Sequence, residues 1–247
     1  MNNKEPYFKK FDKKIKVSPT SNISNKGEWP ESWKRIYFKQ YIRFPKIKLD
    51  KDIVWNKNKE LLIKSIFERK SYNIHKDKLH SISKEDLSNI FLSCAISKNY
   101  KDIKYDSRRT YPSAGARYPL ELYILIQKSD SIKHGLYHYN VKLHALEYMW
   151  KMNKKDIHKI FKQDFSTKCS GIIIITSVIN RSTIKYGERG YTFSYIEAGH
   201  IGQNIALLSE SIGLKCRPFG IFDNKRLTEF LDINTKEEII IYTLAIA

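Results

Sequence analysis

The sequence has only three cysteines, Cys94, Cys169 and Cys216, far apart and never in a CxxC spacing. That excludes a disulfide framework and a cysteine-rich zinc site, and it suits a reducing compartment. Glycine is scarce as well, at ten of 247 residues, and no two stand in a GxG spacing. Neither a dinucleotide-binding fingerprint nor a phosphate-cradling P-loop is therefore available. The longest apolar run, Gly171 to Ile175, is far short of a membrane span, and MNNKEPYFKKFDKK has no apolar segment behind its charges. A cytoplasmic globular protein without membrane contact is expected.

Acidic residues are outnumbered, 26 against 45 basic ones, for a formal charge of +19. Such an excess invites a nucleic-acid reading, since neutralised phosphates dominate that kind of affinity. Its distribution argues otherwise. Residues 1–80 hold 21 basic and 9 acidic residues, an excess of 12 that leaves 7 for the rest. Only ten of the basic residues are Arg, and no nucleic-acid-binding motif is visible, so a solvated surface or an acidic partner is the better reading.

What is present is enough for a sizeable core, at 41% apolar and 13% aromatic. Residues 1–28 mix charge with Pro, Ser, Asn and Gly without periodicity, which predicts a basic N-terminal arm ahead of one domain over 29–247. Trp33, Ile36, Tyr37 and Tyr41 fall at helical spacing before an extended segment. Leu61, Leu62, Ser65, Ile66 and Arg69 predict one amphipathic helix. Leu87, Ile90, Phe91 and Cys94 predict a second, behind a capping box of Ser83 and Asp86. PLELYILIQ alternates as a strand, GLYHYN and HALEYM read as hairpin arms, and GIIIITSVI and EIIIYTLAI read as strands buried on both faces. A long helix is expected from about Thr192 to Leu214, with Gly213 as its cap and small residues Ala198, Gly202 and Ala206 facing a close neighbour in this chain or in a second copy. Asp223 caps a further short helix. The order predicts an α+β fold, a mixed β-sheet flanked by helices.

Several stretches carry candidate chemistry. In Pro112, Ser113, Ala114, Gly115 and Ala116 almost no side chain intervenes, so a planar ligand can lie on backbone N–H groups; an ordinary tight turn is the plainer reading by composition. Without a glycine-rich loop, phosphate binding falls to basic side chains such as Arg69 and Lys70 with Ser71. Lys185 and Tyr186 stand between a buried strand and the long helix, at the end of a loop with Gly187 and Gly190. Both types titrate near pH 10, so either serves as a base near neutrality only where its surroundings lower that value. Glu197, His200, Gln203 and Asn204 bring polar groups into an apolar helix, which fits a site or an internal hydrogen-bond network. Pro218, Phe219 and Gly220 form a second turn able to face a ligand. His134, His138 and His144 lack acidic residues at ligand spacing, which argues against a metal.

Taken in order, ERKS, RRTYPSAGARYPLELYIL, GLYHYNVKLHALEYM, KYGERGYTFSYIEAGHIGQNIALLSESIGL and RPFGIFD resemble the SagB-type dehydrogenases. These are nitroreductase-like flavoproteins that oxidise azolines in thiazole- and oxazole-modified peptides. The resemblance spans residues 29–247 and implies the nitroreductase fold, an intertwined homodimer with FMN at its interface. It also implies that Pro112, Ser113, Ala114 and Gly115 contact the flavin ring, that Arg69, Lys70 and Ser71 hold its phosphate, and that Pro218, Phe219 and Gly220 approach N5. Arg109 and Asn204 join that cofactor-binding set. Lys185 and Tyr186 match the family's base pair, taking a proton from the azoline carbon as hydride leaves for N5, and the partners implied are a peptide substrate and a YcaO-type cyclodehydratase. Two departures bear on FMN: Asn73 stands where nitroreductases often have Arg or Lys, and the chain ends at Ala247 without a basic C-terminal segment, so Arg108, Arg109 or Arg217 is expected to compensate. The alternatives are an FMN oxidoreductase acting on another peptide, a nitro compound or a quinone, and a flavin-free assembly subunit.

Overall fold

Four consecutive isoleucines, Ile172 to Ile175, are fully buried in strand β5 (Gly171–Val178) of the computed structural model. Their branched side chains are stiff and fit a pleated surface, and each contributes about 1.5–3 kcal/mol when taken out of water. The structure describes residues 39–49, 59–74, 80–97 and 108–247. The basic arm over 1–28 and the helix through Trp33, Ile36 and Tyr37 lie outside the described residues, with only Tyr41 of that stretch inside.

Strand β2 (Leu120–Ile126) pairs with β5 along its whole length, from Leu120 opposite Ser177 to Ile126 opposite Gly171. Alternation then divides the core in two. Leu120, Leu122, Ile124 and Ile126 join Ile173 and Ile175 on one face, while Tyr123 and Leu125 join Ile172 and Ile174 on the other. The expected hairpin is present as β3 (Gly135–Asn140) and β4 (Ala145–Trp150), turning at His144 with φ +46°. The extended segment β1 (Lys46–Lys48) adds to β4, while β7 (Glu238–Ile246) pairs with β5 and carries β6 (Cys216–Phe219) outside it. The sheet order is β1-β4-β3-β2-β5-β7-β6. Where a mixed sheet was expected, every pairing among the described strands is antiparallel, because β2, β3 and β4 meander as neighbours and the return to β5 sets it down antiparallel beside β2.

Among the described residues six α-helices cover the sheet: α1 (Lys59–Glu68), α2 (Lys84–Leu92), α3 (Lys154–Phe161), α4 (Asn180–Tyr186), α5 (Arg189–Ser211) and α6 (Asn224–Leu231). Leu87 and Phe91 of α2 and Ile201 and Ile205 of α5 seal one core, while Ile157 and Ile160 of α3 and Leu227 and Leu231 of α6 seal the other. The expected caps are there. Ser83 and Asp86 form a reciprocal capping box, Asp223 accepts from Arg226 N at 3.1 Å, and Gly213 at φ +78° ends α5 with Leu214 N bonded to Ser209 O at 2.8 Å. Helix α5 starts three residues earlier than the periodicity suggested. Gly190 makes this possible: a Cβ there would stand 2.7 Å from the Ser182 backbone, so only glycine lets α5 begin against α4. The small-residue stripe meets its neighbour within the chain at Gly202, where a Cβ would reach 2.8 Å from the Tyr242 ring on β7. On α1, Ser65 is buried but Leu62 and Ile66 are 59% and 51% exposed, so these two apolar side chains face outward in the single chain.

Candidate functional site

The turn over 112–118 is held from beneath. Ser113 Oγ donates to Glu197 Oε1 at 2.7 Å, Ala114 N donates to the same oxygen at 3.1 Å, and Tyr118 N donates back to Ser113 Oγ at 2.8 Å. Gly115 takes φ +57°, and Ala116 and Tyr118 follow at +53° and +44°, conformations that cost L residues on the order of 1–2 kcal/mol each. Arg109 is buried below the turn, where its Nη1 donates to Tyr111 Oη at 3.0 Å and Leu120 O at 3.3 Å, and its backbone N donates to Tyr118 Oη at 3.1 Å. In this chain Arg109 supports the turn from inside.

Lys185 and Tyr186 were expected at the end of a loop and are instead the last residues of α4, which stops at Gly187 in a left-handed φ of +56°. Both tips reach the turn. A Cβ built on Gly115 would fall 2.6 Å from Lys185 Nζ and collide with Tyr186 Oη. The missing side chain at Gly115 is thus what lets an amine and a phenol reach the turn. Tyr186 packs edge-on to Phe193 at 5.0 Å, and Lys185 Nζ lies 5.2 Å from the Tyr186 ring centre, which fixes the pair.

Glu197 links this cluster to α5. It is 2% exposed, its Oε2 has no partner among the described residues, and burial pushes its carboxyl up to about 7 against the opposing pull of the Ser113 and Ala114 bonds. One and two residues on, Ala198 and Gly199 face a cleft of about 300 Å³ between α5 and the β6–β7 edge, lined also by Arg69, Tyr195, Pro218 and Tyr242.

The residues singled out by sequence therefore fall into two groups at different stations along α5. Ser113, Ala114, Gly115, Lys185 and Tyr186 form one. Arg69 and Pro218 form the other, with Lys70 and Ser71 exposed beside it, and Lys70 Nζ 5.0 Å from the Tyr72 ring. Pro112 and Gly220 are exposed, and Asn204 donates to Ser93 O at 3.3 Å. Phe219 turns away, packing on Phe161 and Phe165 in the opposite core, because neighbours on a strand face opposite sides. Of the residues expected to compensate for Asn73, Arg217 lies 4.4 Å from the Phe165 ring and donates to Tyr72 O at 3.4 Å. An acid in the first half of an otherwise apolar helix was the visible signal for Glu197, whose partners sit more than eighty positions away.

The cleft fits FMN in kind. Arg69 offers a cation for a phosphate, and Gly199 presents backbone where an added Cβ would meet nothing within 4 Å among the described residues, leaving room for a flat ring.

Comparison with known proteins decides the lineage: the nitroreductase family matches residues 66–247. The chain belongs to the nitroreductase family. Within it, this nitroreductase-family chain is 32% identical over 129 residues to MJ1384 of Methanocaldococcus jannaschii, which carries a nitroreductase name, covering 51% of the chain and 64% of that protein. It is 26% identical over 136 residues to the microcin B17-processing protein McbC of Escherichia coli, covering 52% and 50%. The trifolitoxin-processing protein TfxB of Rhizobium leguminosarum bv. trifolii is 30% identical over 114 residues, covering 43% and 31%. The chain thus spans between 31% and 64% of these relatives' lengths. Two solved structures share the fold. An Anabaena variabilis protein of nitroreductase name has a TM-score of 0.68 at 22% identity, covering 85% of this chain and 43% of that one. The E. coli microcin synthetase McbBCD complex with truncated pro-MccB17 has a TM-score of 0.59 at 22% identity, covering 70% and 65%. The resemblance to the SagB-type azoline-processing proteins holds through McbC and TfxB.

Proposed function

We propose that this chain is an FMN-dependent dehydrogenase that oxidises thiazoline or oxazoline rings of a ribosomally made peptide to the aromatic azoles. The observation that carries this reading is the meeting of Lys185 Nζ and Tyr186 Oη over the bare backbone of Gly115. That arrangement offers a proton acceptor and a hydroxyl at one point beside a turn stripped of side chains. FMN, when bound, supplies the acceptor for two electrons. The chain's own residues do the rest: Arg69 holds the phosphate with Lys70 and Ser71, Pro218 and Gly220 face the ring, and Lys185 with Tyr186 takes the proton from the azoline carbon.

A second copy of the chain completes the site on this reading. Leu62, Ile66 and Phe67 on α1 and Ile196 on α5 are all more than half exposed in the single chain, which supports an apolar dimer face. Kinship with McbC and the fold shared with the McbBCD complex support a peptide substrate and a cyclodehydratase partner.

Incubation of the flavin-loaded protein with a thiazoline peptide tests the reading. A mass loss of about 2 Da per ring, two hydrogens, is expected without added nicotinamide; intact rings would count against it. The kinship with MJ1384 favours one other reading, reduction of a nitro compound or quinone with NAD(P)H. Oxidation of NAD(P)H by the same preparation, with the peptide unchanged, would select it.

A further inference from the structure

Arg181 stands on α4 one turn before Lys185 and is tied to both sides of the site. Its Nη1 is 2.5 Å from Glu121 Oε1 on β2 and donates to Tyr118 O, at the exit of the turn, at 3.4 Å. From the turn itself, Arg117 Nε donates to Arg181 O at 2.7 Å. Helix and turn are thus stitched together through one residue.

Behind Arg181 lies a line of buried charge. Glu121 Oε2 is 3.0 Å from His138 Nε2 on β3, and His138 Nδ1 is 3.0 Å from Glu147 Oε2 on β4. The His138 and Glu147 side chains are 0% exposed and that of Glu121 is 3%. Glu147 also accepts from Asn140 Nδ2 and Tyr41 N, each at 2.8 Å. With a carboxylate on each ring nitrogen, both nitrogens must donate, which is the imidazolium form. Burial opposes all three charges, yet the pairing prevails: Arg181 and His138 hold Glu121 down at about 2, and the two carboxylates raise His138. Buried pairs of this kind add little net stability over an apolar core, but removing one member leaves an uncompensated charge. Such a line suits fixing a position better than adding stability.

We propose that Arg181, backed by Glu121, His138 and Glu147, is a positioning residue that locks α4 against the turn and so sets where Lys185 Nζ and Tyr186 Oη stand over Gly115. What those two side chains then do rests on the function proposed above. The lock itself does not.

Amide hydrogen exchange and thiazoline turnover, measured on the full chain and on R181M, R181K and E121Q, test this. In R181M, exchange across residues 180–187 rises about tenfold or more while β2 and β5 stay protected. Turnover falls about 100-fold through kcat with KM little changed, as a displaced catalytic group requires. R181K, keeping the charge without the planar fork, recovers part of both. Unchanged exchange at 180–187 in folded R181M overturns the proposal, and so does a uniform rise across the sheet, the mark of a merely structural role. If R181M does not fold, E121Q and R181K decide by the same criteria. A local rise in exchange in R181M, together with a wild-type chain that oxidises no azoline, leaves the lock standing and removes the proposed function.

Discussion

Glu197 accepts a hydrogen bond from Ser113 Oγ at 2.7 Å across eighty-four positions of sequence, so one carboxylate on the long helix holds the entry of the small-residue turn. With its carboxyl pushed up to about 7 by burial, it binds its proton more tightly folded than unfolded. Its contribution to stability is therefore fully present below about pH 4.5 and is lost as the pH rises toward 7, on the order of 3 kcal/mol at most. Glu197→Gln removes that dependence. Melting wild type and variant at pH 5 and pH 8 should show a smaller pH difference for the variant, and equal differences would refute the assignment.

Gly115→Ala places a methyl group on Lys185 Nζ and Tyr186 Oη at a left-handed φ. A stability loss of about 1–2 kcal/mol is expected. Azoline oxidation should fall far more than stability does, which parallel melting and turnover measurements will separate.

Lys185→Met and Tyr186→Phe each remove one of the converging polar tips. Turnover should drop about 100-fold or more in each, the usual scale for loss of a proton-transfer group. The protein should stay yellow when loaded with FMN, because Arg69 and Pro218 lie in a separate cleft. An absorbance spectrum and a single-turnover assay check both halves.

Arg69→Ala removes the cation that lines the cleft. A charge-assisted hydrogen bond contributes about 1.5–3 kcal/mol, so FMN affinity should weaken about 10- to 100-fold. Fluorescence titration of flavin reads this directly. An unchanged affinity would move the phosphate site elsewhere.

Much of the architecture was legible from neighbouring residues alone. Leu120, Leu122, Ile124 and Ile126 specify a two-faced strand by their period, and Ser83 with Asp86, Asp223 and Gly213 mark helix ends because caps act within three or four residues. The string PSAG and the pair Lys185 and Tyr186 were visible for the same reason: each is a contiguous chemical signal. The loop expected at Lys185 misread Gly187, which ends a helix there at a positive φ.

Long-range geometry decided the rest. No local pattern says that Gly115 faces Lys185, that Glu197 reaches Ser113, or that Glu121, His138 and Glu147 line up behind Arg181, since these pairings exist only once β2, β3, β4 and two helices are packed. Sequence alone determined that β2, β5 and β7 become strands and that α2 and α5 become helices, because hydrophobic period is a short-range property. Tertiary structure alone decided which charges meet, because a buried charge takes its partner from whatever the fold brings within reach.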